Sequence, residues 1–372
     1  MQKLKILLTI PNFDTAGSGK ALLNIATRLD PTRFDVQIMC KHSKGDFFKV
    51  VEASGLKVHV VDYETPMRPI GKALLGVWSV SRKLKRINPD IIHSFHYSSD
   101  YSEALAARFA GIKFIYTKKN MNWGGPSKNS WFLRTLLANH ICVQNTDMFA
   151  FFEGFSKSKF TLLPRGVNTI EFTSNDRSKS EICQKLELSD NFRYVICVAN
   201  LVPVKGVETL IEAFNISNAD GWHLLIVGDN NSEYGSHIKG LVKQKGMTSK
   251  VTFTGKTPLV KDYLEVSELF VLPTKNEGRR EGSPVSLLEA MSMGLYVLGS
   301  KIPGIKDQLS NFPELMFEAG NVQELSGKME MVFNLSQIEL KTWSAILTEH
   351  VLNNYSIEKE VKNHQEIYDR VF

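Results

Sequence analysis

No apolar run in this 372-residue sequence approaches the roughly 20 residues needed to span a bilayer. The run Ile6-Leu7-Leu8-Thr9-Ile10, behind Lys3 and Lys5, stops at Pro11, too short for a secretory leader and suited to a first strand. Cysteine is scarce: Cys40, Cys142, Cys183 and Cys197 stand far apart with no CxxC pair. That argues against a disulfide framework, and it predicts buried reduced thiols and a cytoplasmic location. No His/Cys group has zinc spacing, so no metal site is expected. Short-period repeats and low-complexity segments are also missing, which argues against a solenoid or a disordered tail. Gly17-Ser18-Gly19 meets neither common phosphate-loop pattern. A Walker A loop would need Gly in place of Asp14 and Ser or Thr in place of Ala21, and the dinucleotide fingerprint would need Gly in place of Leu22.

The remaining composition is that of an ordinary globular protein, 43% hydrophobic and 23% charged, and the length suggests two domains. The net charge of +6 is unevenly spread. Residues 1–180 carry 26 Lys and Arg against 14 Asp and Glu, a net of +12, and the remainder carries −6. A basic half beside an acidic half suggests that the first half meets something anionic. The basic residues match no nucleic-acid recognition motif, which leaves a lipid headgroup or lipid-linked phosphate as the expected partner. Ala73–Ile87 is a basic amphipathic helix in which Ser81-Arg82-Lys83-Leu84-Lys85-Arg86 follows Leu74, Leu75, Val77 and Val80. Peripheral contact with anionic membrane is the expectation.

Strand-like and helix-like segments alternate throughout. In the first half Ile6–Ile10, Asp35–Cys40, Lys57–Val61, Asp90–His93, Phe114–Thr117 and Ile141–Gln144 read as strands. The polar stretch Thr173–Glu181 reads as a linker. The alternation then restarts with strands at Tyr194–Ala199, Leu224–Val227, Val251–Thr254, Leu269–Leu272 and Tyr296–Gly299. This pattern predicts an α/β protein with two doubly wound, Rossmann-like domains facing across a cleft. The expected divisions are 1–170, 171–354 and an amphipathic helical tail, 355–372. Ligands in such folds sit at the carboxyl ends of the strands.

The segment Glu281-Gly282-Ser283-Pro284-Val285-Ser286-Leu287-Leu288-Glu289-Ala290-Met291 follows one of those strands. Ser283 suits an N-cap and Pro284 a first helical turn, so a helix with an anion-attracting N-terminus is predicted here. Glu281 before that end and Glu289 within the helix can accept hydrogen bonds from hydroxyl-rich ligands on either side of a phosphate. Upstream, Val198-Ala199-Asn200-Leu201-Val202-Pro203-Val204-Lys205-Gly206-Val207 places a lysine and a glycine in a strand-to-helix loop. There the lysine can neutralise a leaving diphosphate and the glycine admits close backbone approach.

Together these segments resemble the retaining glycosyltransferases of the GT-B fold, the family-4 group also called group 1. The likeness runs along nearly the whole chain and rests on the two glutamates eight apart and the Lys-Gly pair. It implies catalytic roles for Lys205 and Glu281. It implies donor contacts from Gly17, Gly19, Lys205, Gly206, Arg280, Gly282, Ser283, Pro284, Val285 and Glu289, and acceptor-side roles for His96, Lys119 and Asn120. The substrate would be a nucleotide-diphosphate sugar, UDP-sugar favoured over GDP-sugar, passed to a saccharide or lipid-linked acceptor in cell-surface glycan synthesis. No cofactor and no metal are implied, since no DxD triplet occurs. The resemblance also implies that the tail crosses back onto the first domain. This sequence has Asn200 where the family usually has an arginine, and Lys119 near the place of a histidine that many members carry. These departures leave a non-catalytic nucleotide-sugar-binding protein, or an epimerase or phosphorylase of the same fold, as the alternatives.

Overall fold

Continuous apolar runs become parallel strands, and the helices between them cover the sheet faces. The computed structural model describes residues 2–14, 16–123, 127–174, 177–278 and 282–372. Two compact units result, one from Met1–Pro164 with Ile357–Phe372 and the other from Arg165–Ser356.

The first unit holds β1 (Leu4–Thr9), β2 (Phe34–Cys40), β3 (Lys57–Val60), β4 (Ile91–Ser94), β5 (Lys113–Lys118), β6 (His140–Val143) and β7 (Phe160–Leu162). They form one parallel sheet in the order β3-β2-β1-β4-β5-β6-β7. Strand side chains alternate between faces. Ile6 and Leu8 therefore join a core with Leu22, Ile25, Val361 and Tyr368, while Leu7 joins another with Val77, Val80, Leu84 and Trp131. The helices Ala16–Ala26 and Ile357–Val371 thus supply one layer, and Ile70–Ile87 and Lys128–Leu137 the opposite one.

The second unit holds β8 (Arg193–Val198), β9 (Trp222–Val227), β10 (Val251–Gly255), β11 (Leu269–Leu272), β12 (Tyr296–Ser300) and β13 (Met316–Phe317), parallel in the order β10-β9-β8-β11-β12-β13. Both sheets have the doubly wound, Rossmann-like order. It reverses between β1 and β4 in one unit and between β8 and β11 in the other, the places where such sheets bind ligands.

The chain leaves the first unit after Pro164 and returns at Ile357, six residues before and two after the limits expected at 170 and 355. In the second unit Val167 donates its N–H to Tyr355 O at 2.8 Å and pairs with Ser356 in a parallel bridge. Tyr355 and Ser356 are therefore tied to the second unit, and the tail helix proper starts at Ile357, two residues later than its periodicity suggested. The stretch Thr173–Glu181 is not all linker. Ser178 and Glu181 form a reciprocal capping box that opens the helix Lys179–Lys185. Polar capping residues and polar linkers look alike in composition, which is why that helix start was hidden.

The tail helix is fastened by apolar burial of Ile357, Val361, Ile367 and Tyr368 and by one buried polar relay. His93 on β4 bonds Tyr368 Oη through Nδ1 at 2.9 Å and Thr117 Oγ1 through Nε2 at 2.8 Å. Burial, with His364 and His140 nearby, holds His93 well below the usual histidine range, so it stays neutral. The unfolded chain then takes up a proton near pH 6.5 that the folded chain refuses. His93's contribution is complete above that pH and is lost as pH falls below it. Thermal unfolding of the wild type should therefore lose more stability between pH 7.5 and 5.5 than that of His93→Gln, by about 1.4 kcal/mol for one pH unit below 6.5. Parallel losses in the two proteins would show that His93 is not the group responsible.

Candidate active site

In the second unit the chain leaves β8 through Ala199–Val202, makes one 3-10 turn at Pro203–Lys205, and reaches Gly206 at φ 63, ψ 28. That left-handed geometry favours glycine, and a Cβ at Gly206 would also collide with Pro273 O, in the segment after β11. The loops following the two strands at the switch point are thereby packed backbone against backbone. Lys205 is buried, and its charge opposes the burial that pushes the Cys197 thiol up to about 12. Asn200 is exposed, and its carbonyl accepts the Val202 N–H at 2.9 Å.

After β11 the chain runs through Pro273, Thr274 and Lys275. Ser300 Oγ donates to Thr274 O at 2.6 Å, and Lys275 N–H donates to Val204 O at 2.8 Å. Arg279, Arg280 and Glu281 lie outside the described residues, so the expected donor contact of Arg280 and catalytic role of Glu281 have no structural description. The following helix is Val285–Ser292, with Pro284 rather than Ser283 at the N-cap and no capping side chain. Ser283 is one residue too early to cap. Its Oγ instead accepts from Arg165 N at 3.3 Å and Gln308 Nε2 at 3.0 Å, and Gln308 Nε2 also reaches Pro284 O at 3.1 Å. A helix start without a side-chain cap leaves its first-turn amides to an anion. Gly282 is buried, and a Cβ on Gly304 would collide with its carbonyl. Glu289 is partly exposed, one turn past Val285, about 6 Å along the axis.

In the first unit Gly17 and Gly19 lie in the first turn of the helix Ala16–Ala26. Gly19 is required by space, since a Cβ there would stand 2.9 Å from Phe13 Cδ1 and 3.0 Å from Phe47 Cδ1. Gly17 faces open space. Ser18 Oγ is 3.5 Å from Lys119 Nζ, which in turn lies 5.3 Å from the centre of the Tyr97 ring.

His96, after β4, is buried and stacks on Tyr97. Ser98 N–H donates to His96 Nδ1 at 3.0 Å, so the proton sits on Nε2, which donates to Glu64. Both ring nitrogens are engaged, and His96 holds Tyr97 and Glu64 in place. Burial would raise the Glu64 carboxyl, but hydrogen bonds from His96 and Lys41 outweigh it and hold Glu64 below the usual range.

Lys119 and Asn120, both expected on the acceptor side, do not share one surface. Lys118 is buried and donates to Asn120 O at 2.6 Å, Asn120 Oδ1 at 2.9 Å and Asn122 O at 2.7 Å, with the Trp131 ring 4.3 Å away. A buried ammonium needs such partners, and it draws Asn120 inward with it. Trp123 stacks flat on Phe151. Lys119 is partly exposed and Asn122 exposed.

Sequence reasoning missed the polar network beneath these loops. Glu103 is buried and accepts from Thr9 Oγ1 at 2.5 Å and Ser94 Oγ at 2.7 Å, the last residues of β1 and β4. Arg134, also buried, donates to Ser94 Oγ at 2.9 Å and Ser98 O at 2.6 Å. Burial raises the Glu103 carboxyl and the Arg134 charge opposes the rise. Thr9 and Glu103 are 94 residues apart, so no local spacing could have revealed the pair.

Comparison with known proteins agrees with this architecture. The family model described as Glycosyltransferase Family 4 matches residues 15–171, and that described as Glycosyl transferases group 1 matches residues 178–344. TuaC of Bacillus subtilis, ascribed to teichuronic acid biosynthesis, is 27% identical over 276 residues, which is 70% of this chain. The chain spans 64% of TuaC's length. The UDP-Gal:alpha-D-GlcNAc-diphosphoundecaprenol alpha-1,3-galactosyltransferase of Escherichia coli is 23% identical over 90% of this chain and 89% of its own. Among solved structures, Anabaena HepE in complex with UDP and glucose superposes with a TM-score of 0.82 at 17% identity, covering 98% of this chain and 99% of its own. The chain belongs to the group 1 glycosyltransferases, with the two Rossmann-like domains of the GT-B fold.

Proposed function

We propose that the protein transfers a sugar from a nucleotide-diphosphate donor, UDP-sugar in preference to GDP-sugar, to a saccharide or lipid-linked acceptor, with retention of configuration. The observation that carries this reading is the pairing of the Lys205–Gly206 turn with the start of the helix Val285–Ser292. Both follow strands that are neighbours where the sheet order reverses. An ammonium and a set of first-turn amides at that place suit a diphosphate that gains charge as the sugar departs. They take the part a divalent metal would play, so transfer is proposed to be metal-independent. Among the described residues no group of three His, Cys, Asp or Glu side chains could hold a metal ion. In the proposed mechanism the sugar leaves through an oxocarbenium-like state on the face from which the acceptor enters. A phosphate oxygen takes the acceptor proton, and no protein nucleophile is assigned. Glu289 is proposed to hold the ribose hydroxyls, and Lys119 beside Tyr97 to meet the acceptor.

The acceptor side is proposed to meet anionic membrane through the helix Ile70–Ile87. No helix among the described residues is long and apolar enough to cross a membrane. Val77, Val80, Ser81 and Leu84 face the core, whereas Ile70, Leu74, Leu75 and Trp78 are each more than half exposed. The outward face is therefore apolar in its first half and continues into Arg82, Lys85 and Arg86, with Arg82 lying 4.9 Å from the Trp78 ring centre. Apolar insertion beside cations is the chemistry of an interfacial helix.

Two measurements test this reading. With a matched donor and acceptor, Lys205→Ala and Glu289→Ala should each lower transfer about 10²–10³-fold without loss of fold, and wild-type transfer should survive EDTA. Near-normal transfer by Lys205→Ala, or a strict metal requirement, would overturn the proposed handling of the diphosphate. In vesicle cosedimentation the protein should bind anionic but not neutral vesicles, with each basic residue contributing about 1 kcal/mol. Binding should weaken with salt and with Trp78→Glu. Equal partitioning onto both vesicles, or none at low salt, would remove the membrane from the proposal.

A further inference from the structure

The Lys205–Gly206 dipeptide is held on both sides by bonds that arrive from distant parts of the second unit. On one side the Val204 carbonyl accepts the Lys275 N–H at 2.8 Å. On the other, the Val207 N–H donates to the Tyr234 hydroxyl at 3.1 Å. That hydroxyl donates onward to Glu208, and the other carboxylate oxygen of Glu208 takes the Lys275 ammonium. Lys275 comes from the segment after β11, Tyr234 from the first turn of the helix Glu233–Gln244, and Glu208 from the first turn of the helix Val207–Ile216. These contacts close a ring around the dipeptide. The Lys275 side chain also runs across the open face of Gly206, its Cγ 3.2 Å from where a Cβ would stand.

The charges in this ring answer one another. Lys275 Nζ lies against Glu208 and 3.6 Å from Glu277, so its cation is matched by two carboxylates, one on the helix Val207–Ile216 and one in its own segment. Glu208 would be raised by its half-burial, but the bonds from Lys275 and Tyr234 hold it ionised. Charge-assisted bonds of this kind are stronger and more directional than neutral ones, which suits them to fixing a backbone turn.

We infer that Tyr234, Glu208 and Lys275 are positioning residues that set the Lys205–Gly206 turn and so aim the Lys205 ammonium at the donor diphosphate. The inference rests on the donor-site reading above. It makes Lys275 a support for Lys205 rather than a second phosphate ligand.

The test is calorimetric titration of the full chain with UDP and, separately, UMP, alongside thermal unfolding. Tyr234→Phe and Lys275→Met should each weaken UDP binding about five- to tenfold, the effect of one lost hydrogen bond to a charged network, while UMP binding is unchanged. Glu208→Gln, which keeps an acceptor for Tyr234, should lose less. In a Lys205→Ala background none of the three should weaken UDP binding further, because the group they aim is already gone. Unchanged UDP affinity in Tyr234→Phe and Lys275→Met would overturn the inference. So would equal losses for UMP, or losses that persist in Lys205→Ala. Should Tyr234→Phe fail to fold, Lys275→Met carries the same comparison. A wild-type chain that binds neither nucleotide would overturn the donor-site reading itself, and the inference with it.

Discussion

At Gly206 the backbone turns left-handed directly against the Pro273 carbonyl, with no room for a side chain between them. Much else in the second unit follows from that approach. It joins the segment after β8 to the segment after β11, the two strands between which the sheet order reverses. It lets Lys275 N–H reach Val204 O, and it brings the 3-10 turn of Lys205 directly into the helix Val207–Ile216. A side chain would add left-handed strain of about 1–2 kcal/mol and would also have to displace the neighbouring strand's exit segment. The nearby glycine Gly304 repeats the device one strand further along, where its backbone approaches the Gly282 carbonyl ahead of the helix Val285–Ser292. Close backbone packing thus places both candidate diphosphate contacts.

The first unit is built differently at its own switch point. Charged groups are buried there and answered within the fold: Glu103 by Thr9 and Ser94, Arg134 by Ser94 and Ser98, Lys118 by Asn120 and Asn122. Burying a charge costs several kcal/mol unless its partners are well placed, so each such group constrains the loop that supplies those partners. The loops after β1, β4 and β5 are held from beneath, and among the described residues they present Tyr97 outward, with Lys119 near its ring and Ser18 beside Lys119.

The sequence made the strands legible because parallel strands buried on both faces read as unbroken apolar runs. It made the second-unit motif legible because a Lys-Gly loop and a glutamate-bearing helix are local in sequence. The N-cap was misplaced by one residue because Ser283 looks like a cap, whereas its hydroxyl is taken by Gln308, 25 residues away. Gly17 and Gly19 sit inside a helix although glycine is a poor helix former, and Gly19 is the residue that fits beneath Phe13 and Phe47. Lys118 and Lys119 are chemically identical in the sequence, and only the fold separates a buried structural cation from a partly exposed one. The same limit applies to the helix Ile70–Ile87, where Val77 and Leu74 differ in exposure because of what packs over them.

The central claim is that a nucleoside diphosphate binds where the loops after β8 and β11 converge. Hydrogen–deuterium exchange with and without saturating UDP tests it most directly, since it reports on each backbone segment without assuming an acceptor. The account predicts slowed exchange in peptides spanning Val204–Val207 and Gly282–Leu287, with the segments after β9 and β12 changed little. Protection confined to the first unit, or none at UDP concentrations that saturate binding, would contradict it.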